Sequence, residues 1–172
     1  MRYTSIVAAS LLLLIGAGCA APAVSPSATS TPDAGELAPT APAVPSSKTL
    51  DLSGQGLTSL PSSALGRTDL QELDISGNRI GGALPSEIGK LKALRVLDAS
   101  GNLMTGVPAE IGHLPELRFL DLSDNRLTGL PHELAELKKL ETLDLRGNDV
   151  SAFDLDVIRK GLPGARILVD GE

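Results

Sequence analysis

Residues Leu117–Lys139 read LRFLDLSDNRLTGLPHELAELKK, and one unit of structure is legible inside them. Leu120-Asp121-Leu122-Ser123 alternates apolar and polar residues, the pattern of a short strand whose leucines face inward and whose Asp and Ser face out. Asn125 then turns the chain. Pro131 suits a first helical position, and Glu133 two residues later favours the positive end of a short helix. The stretch is therefore strand, turn and helical return. One such unit cannot bury its apolar side alone, so it requires neighbours of the same kind stacked on it.

Those neighbours are present. Asn78, Asn102, Asn125 and Asn148 recur about every 23 residues, and Gln55 lies one such interval before the first of them. The repeats begin at Ser47, Leu70, Leu94, Leu117 and Leu140, and the unit LxxLxLxxNxL recurs through all five. On these residues the chain resembles the leucine-rich repeat family. The resemblance implies an α/β fold, a right-handed solenoid of about five repeats, each about 23–24 residues long. It also implies a concave parallel sheet with short helical segments on the convex side. The tails, such as GLPHELAELKK, look like the LPxxIxxL variety of bacterial and intracellular scaffold members. The one longer repeat, with IGGALPSEIGKL, looks more like the variety typical of plant receptor ectodomains.

The asparagines have a physical task. A side-chain amide both donates and accepts, so Asn78, Asn102, Asn125 and Asn148 can form a structural ladder that pairs backbone groups left over by the bend, each worth about 1 to 3 kcal/mol if orphaned. The ends of the array differ from its middle. At the front, Ala64 and Arg67 stand where Leu134 and Leu137 stand later, and Gln55 replaces Asn, which fits a polar capping repeat. At the back, Leu155, Val157, Ile158 and Leu162 have helical spacing. Arg166-Ile167-Leu168-Val169 then reads as a closing strand, with Ile167 one full period after Leu143.

Upstream of the repeats the composition changes twice. Residues 20–47 contain Pro22, Pro26, Pro32, Pro39, Pro42 and Pro45 among Ala, Ser and Thr, with Asp33 and Glu36 as the charges. Such a segment cannot bury a core and reads as a tether reaching on the order of 80 Å if fully extended. Before it, Ile6–Gly18 is an uncharged stretch. At about 13 residues it has the length of a signal-peptide core and is too short to span a bilayer. It ends in Ile15-Gly16-Ala17-Gly18-Cys19, which resembles the lipobox of bacterial lipoproteins, although Gly16 stands where Leu is usual. The resemblance implies a signal peptide over 1–18 and lipidation of Cys19. A tether then covers 19–47, and the repeat domain with a C-terminal capping helix and strand covers 48–172. The expected location is the bacterial cell envelope, anchored to a membrane, with cleavage near Ala20 or Ala21 and release of a soluble protein as the alternative. The absence of the disulfide caps usual in eukaryotic extracellular members supports a bacterial source.

Several function classes fall away. The chain has 172 residues, a formal charge of -6 and 2% aromatics, so it has no basic footprint for nucleic acid and must pack an aliphatic core. One cysteine and two histidines, His113 and His132, make no zinc site, and no cofactor is expected. No nucleophile elbow, phosphate-binding loop, HExxH or dinucleotide fingerprint is present, and the outward serines have no His at their strand level, so an enzyme is not expected.

The outward columns are where recognition is expected. Asp51, Asp74, Asp98, Asp121 and Asp144 form one column; strands about 4.8 Å apart make neighbours repel by roughly 0.9 kcal/mol even at the dielectric of water. Either adjacent Ser and backbone donors offset this, or the strip recruits a cationic partner or ion. Beside it runs Thr49, Glu72, Val96, Phe119, Thr142, with an aromatic at the middle. Val96, Asp98, Arg118, Phe119, Asp121 and Asp144 are the expected protein-binding residues. The face measures a few hundred Å², below the roughly 800 Å² per partner of a standard interface, so a peptide-sized epitope is expected. The reading is a non-enzymatic, membrane-tethered module binding a protein or peptide. The alternatives are an envelope component without a dedicated partner and a secreted or surface host-interaction factor.

Overall fold

The computed structural model describes residues 48–171; the expected signal peptide, lipidated Cys19 and tether lie outside the described residues. In chain order the elements are β1 (Thr49–Asp51), α1 (Ser62–Leu65), β2 (Glu72–Asp74), β3 (Gly81–Ala83), β4 (Val96–Asp98), β5 (Leu103–Gly106), β6 (Phe119–Asp121), β7 (Thr142–Asp144), α2 (Ala152–Gly161) and β8 (Arg166–Leu168). Three 3-10 turns, Ser86–Lys90, Ala109–His113 and His132–Glu136, complete the helical returns.

The six strands β1-β2-β4-β6-β7-β8 pair in that order into one parallel sheet. Register is uniform. Leu50, Leu73, Leu97, Leu120, Leu143 and Ile167 stand in line, each one coil from the next. The closing strand expected at Arg166 is thus in register with Leu143. Parallel strands force a crossover between every pair, and here each crossover is a single turn of the solenoid.

The core is aliphatic. Leu73, Leu97, Leu120 and Leu143 meet Ile88, Ile111 and Leu134 of the helical returns, all essentially inaccessible to solvent. Truncating one such leucine to Ala would cost about 2–5 kcal/mol. At the C-terminal end α2 covers the last coil with Ile158 and Leu162, and its N-cap Ser151 accepts from the Phe153 N–H. At the front the cap is thinner: Leu50, Leu52 and Leu57 are only partly buried, and Gln55 is exposed.

Two local features depart from the sequence reading. Pro61, Pro85, Pro108 and Pro131 are N-caps in extended conformation, ψ between 136 and 147°, and the helical turn begins one residue later. A proline in that position has the fixed φ the strand-to-turn transition needs and no N–H to leave unpaired. The longer repeat also forms β3, which pairs in parallel with β5 in a second, two-stranded sheet. Pro85 stands one position further from Asn78 than Pro108 does from Asn102. A register shift between Gly82 and Ala83, with Gly82 at φ +72°, accompanies the difference.

Asp124 takes the left-handed conformation that glycine holds in the other coils, with φ 52° beside 62° at Gly77 and Gly101 and 71° at Gly147. Asp tolerates that region better than most residues. Its side chain lies against Gly147, where a Cβ would collide with the Asp124 carboxylate and backbone. The exchange at 124 therefore requires glycine at 147.

Candidate functional site: the concave sheet face

The face is held rigid from behind by the asparagines. Asn102 Oδ1 accepts the Ile80 N–H at 3.0 Å, while its Nδ2 donates to the carbonyls of Ile75, Ala99 and Ser100 at 3.0–3.1 Å. Asn125 repeats the pattern one coil on, with Met104, Ala99, Leu122 and Ser123. Asn78 serves Leu57, Leu52, Ile75 and Ser76, and Asn148 serves Leu127, Leu122, Leu145 and Arg146. Each amide bonds across two coils, so the turns behind the sheet are tied into one frame.

On the front, the aspartates are clamped by their own strands. Oδ1 of Asp51, Asp74, Asp98 and Asp121 accepts both the N–H and the hydroxyl of the serine two residues on, the hydroxyl contacts spanning 2.6–2.7 Å. Donors close by offset the like-charge repulsion along the column. At Asp51 the Ser53 hydroxyl, then the Ser53 N–H, holds the carboxyl below the usual carboxylate range. In all four residues Oδ2 accepts no hydrogen bond among the described residues.

Asp144 is different. It is 3% exposed, and Arg146 stands where the serine should be, with Nε 3.0 and 3.1 Å from the two carboxylate oxygens. That hydrogen-bonded guanidinium, outweighing burial, draws the Asp144 carboxyl below its ordinary range. Among the expected binding residues, Asp144 is thus neutralised and withdrawn from the surface. Arg118 is also occupied: its guanidinium reaches Glu141 of the next coil at 2.5 Å. Both partners are largely exposed, so this pair contributes about 0–1 kcal/mol.

The structure brings Val96, Asp98 and Phe119 together around one open hollow of about 260 Å³, shared with Thr49, Asp51, Glu72, Leu73 and Asp74. Asp121 lies beside Phe119 on β6 but not in its lining. The sequence reading placed the site at the middle of the array; the hollow extends instead toward the N-terminal coils. Asp51, Glu72 and Asp74 were visible as members of the two columns, and Glu72 as the acidic member of the Phe119 column, but nothing in the sequence showed that they share a basin with Phe119. A second cavity, about 500 Å³, opens on the convex side between Leu60, Leu65, Pro85, Glu87 and Lys90. It lies between α1 and the turn Ser86–Lys90, with Ser62, Thr68, Glu87 and Lys90 as its polar members.

His113 and His132 lie on the helical side, as expected. His132 Nε2 is 3.3 Å from Asp154 and its ring tilts against Phe153, so it joins α2 to the preceding turn. No group of His, Cys, Asp and Glu among the described residues could hold a metal ion. No described helix is long and apolar enough to cross a membrane.

Comparison with known proteins agrees with this architecture. The leucine rich repeat model matches residues 45–104, and a model of two-copy leucine rich repeats matches residues 115–155. A leucine-rich repeat protein of Leptospira interrogans is similar at 43% identity and TM-score 0.67, over 70% of this chain and 31% of its own. The BIR3–SERK2 complex of Arabidopsis thaliana is similar at 40% identity and TM-score 0.55, over 60% and 57%. The plant peptide hormone receptor RGFR1, solved in complex with RGF2, is similar at 30% identity and TM-score 0.56, over 64% of this chain and 18% of its own. The chain therefore spans about a third of the Leptospira protein. No curated protein matches. The protein carries leucine-rich repeats and folds as a leucine-rich repeat solenoid, a scaffold commonly used for protein–protein recognition.

Proposed function

We propose that the protein is an exported recognition module, lipid-anchored at Cys19 to a membrane of the bacterial envelope, that binds a protein or peptide on its concave face without catalysing a reaction. One observation carries the recognition reading. The inward leucines and the asparagine frame repeat from coil to coil, whereas the outward column Thr49, Glu72, Val96, Phe119, Thr142, Arg166 changes at every strand and opens on the hollow at Phe119. Structural repetition needs no such variation; a binding surface does. The small area favours a peptide-sized epitope, and the plant peptide hormone receptor RGFR1, solved in complex with RGF2, has a similar solenoid. The Pro-rich segment 20–47 would hold the module away from the bilayer, and a di- or triacylated cysteine would supply stable anchoring where a single chain would not.

A photo-crosslinking amino acid placed at Phe119 in the native envelope, with one at His113 on the convex side as control, tests the recognition reading. A discrete adduct at 119 and none at 113 is expected. Adducts from 113 alone would reverse the face, and none from either would favour an envelope component without a partner. Cys19→Ala should release the protein from membranes or block its processing. Unchanged membrane retention with no incorporation of labelled palmitate would remove the anchor from the proposal.

A further inference from the structure

We infer that the N-terminal half of the concave face seats a cationic peptide segment, with a basic side chain lodged among Glu72, Asp74 and Asp98 against the Phe119 ring. The inference rests on the recognition reading above and names the chemistry of its partner.

Three features of the hollow converge on that occupant. Its lining contains four carboxylates, Asp51, Glu72, Asp74 and Asp98, and no Lys or Arg. The serine clamps fix Oδ1 of each aspartate and leave Oδ2 without a hydrogen bond among the described residues, so the column presents oriented, unpaired acceptors. Beside these acceptors the lining supplies apolar surface, Val96 and the half-buried Phe119, matching the aliphatic stem and planar head of an arginine. The volume of about 260 Å³ is below the roughly 300–1,000 Å³ of small-molecule sites and suits a side chain.

The fifth coil shows the same chemistry carried out within the chain. There the aspartate of this column, Asp144, meets a guanidinium, and Arg146 engages both carboxylate oxygens. The strand geometry that orients Asp144 toward Arg146 is repeated at Asp74 and Asp98, which have serine at the corresponding place and no internal cation. A guanidinium arriving from a partner would be accepted at Oδ2 of Asp74 and Asp98, the oxygen that the serine clamp leaves open. The face is thereby polarised: acidic and open at β1, β2 and β4, neutralised at β7.

The test is fluorescence anisotropy of the purified protein with a fluorescein-labelled heptapeptide of alternating Gly and Arg, against the Gly and Glu counterpart, at about 0.15 M salt, where long-range attraction is screened. Saturable binding of the Arg peptide alone is expected. Asp74→Asn with Asp98→Asn should weaken it by about tenfold and Phe119→Ala by about fivefold. Glu110→Gln with Glu133→Gln, an equal charge change on the convex turns, should alter it by less than about twofold. The denaturant midpoint shows that each variant folds, and Phe119→Ala stands as the independent probe if the double Asn variant does not. No saturable binding, or equal weakening by the convex pair, overturns the inference. Crosslinking at Phe119 to a partner segment without Lys or Arg overturns the cationic assignment and leaves the recognition reading standing; no concave adduct at all removes both.

Discussion

Arg146 closes on Asp144 two residues before it, in the place where serine holds the aspartate of four earlier coils. The exchange buries a carboxylate at the sheet face and matches it with a guanidinium that is itself 58% exposed in its side chain. The fifth strand thus keeps the repeat's aspartate while removing its charge from the surface. The sixth strand ends the column altogether, with Leu168 paired to Asp144.

Arg146→Ala should destabilise the array by about 1–2 kcal/mol, because it leaves a buried carboxylate with a backbone donor alone and the lost partner was largely solvent-screened. Arg146→Ser should cost less, since serine restores the clamp seen at Ser123. The pH dependence has a definite sign. Arg146 holds the folded-state pKa of Asp144 down, so its stabilisation is present above the unfolded value of about 3.9 and is lost as pH falls through the folded value. Urea midpoints at neutral pH should therefore separate wild type from Arg146→Ala, and the gap should close under acid. A gap that widens below pH 4 would contradict the pairing.

The asparagine frame predicts a ranking. Asn102→Leu and Asn125→Leu each orphan a buried N–H and two buried carbonyls, at about 1–3 kcal/mol per group before relaxation. Asn148→Leu should cost less, because its partners are partly exposed. Equal denaturant midpoints for the three variants would mean that burial does not set the penalty.

The convex side predicts a contrast between two glycines. A Cβ on Gly112 would collide with the backbone and Cβ of Glu133 in the next turn, whereas one on Gly164 meets nothing within 4 Å. Gly112→Ala should destabilise by about 1–3 kcal/mol as the turns are forced apart, and Gly164→Ala should be near neutral. Thermal melts of the two variants, recorded together, check the difference.

The end of the ladder offers a further measurement. In earlier coils the residue before Asn donates its N–H to the next coil's backbone carbonyl, as Gly101 does to Ser123 at 2.9 Å. After the last full coil the acceptor changes, and the Asp170 side-chain carboxylate takes the Gly147 N–H at 2.6 Å. Asp170→Ala should cost about 0.5–1.5 kcal/mol and speed amide exchange at Gly147 while leaving Gly101 protected. Unchanged exchange at Gly147 would show that Asp170 caps nothing.

Much of this molecule follows from the period of its repeat. A parallel sheet sets successive strands at a constant separation, so Leu50 through Ile167 fall in line once the spacing is known, and the columns of Asp and of Thr49 to Arg166 can be written from the sequence. The asparagine ladder is legible for the same reason, since a residue recurring at a bend has the same orphaned groups to serve each time. The tertiary structure decided what periodicity leaves free: which side chain across neighbouring coils each outward residue meets. Arg146 folds back on Asp144, Arg118 leans to Glu141, and Phe119 closes a hollow with residues up to three coils away. Those choices depend on rotamers and packing in two dimensions across the sheet, while the repeat constrains only the backbone beneath them.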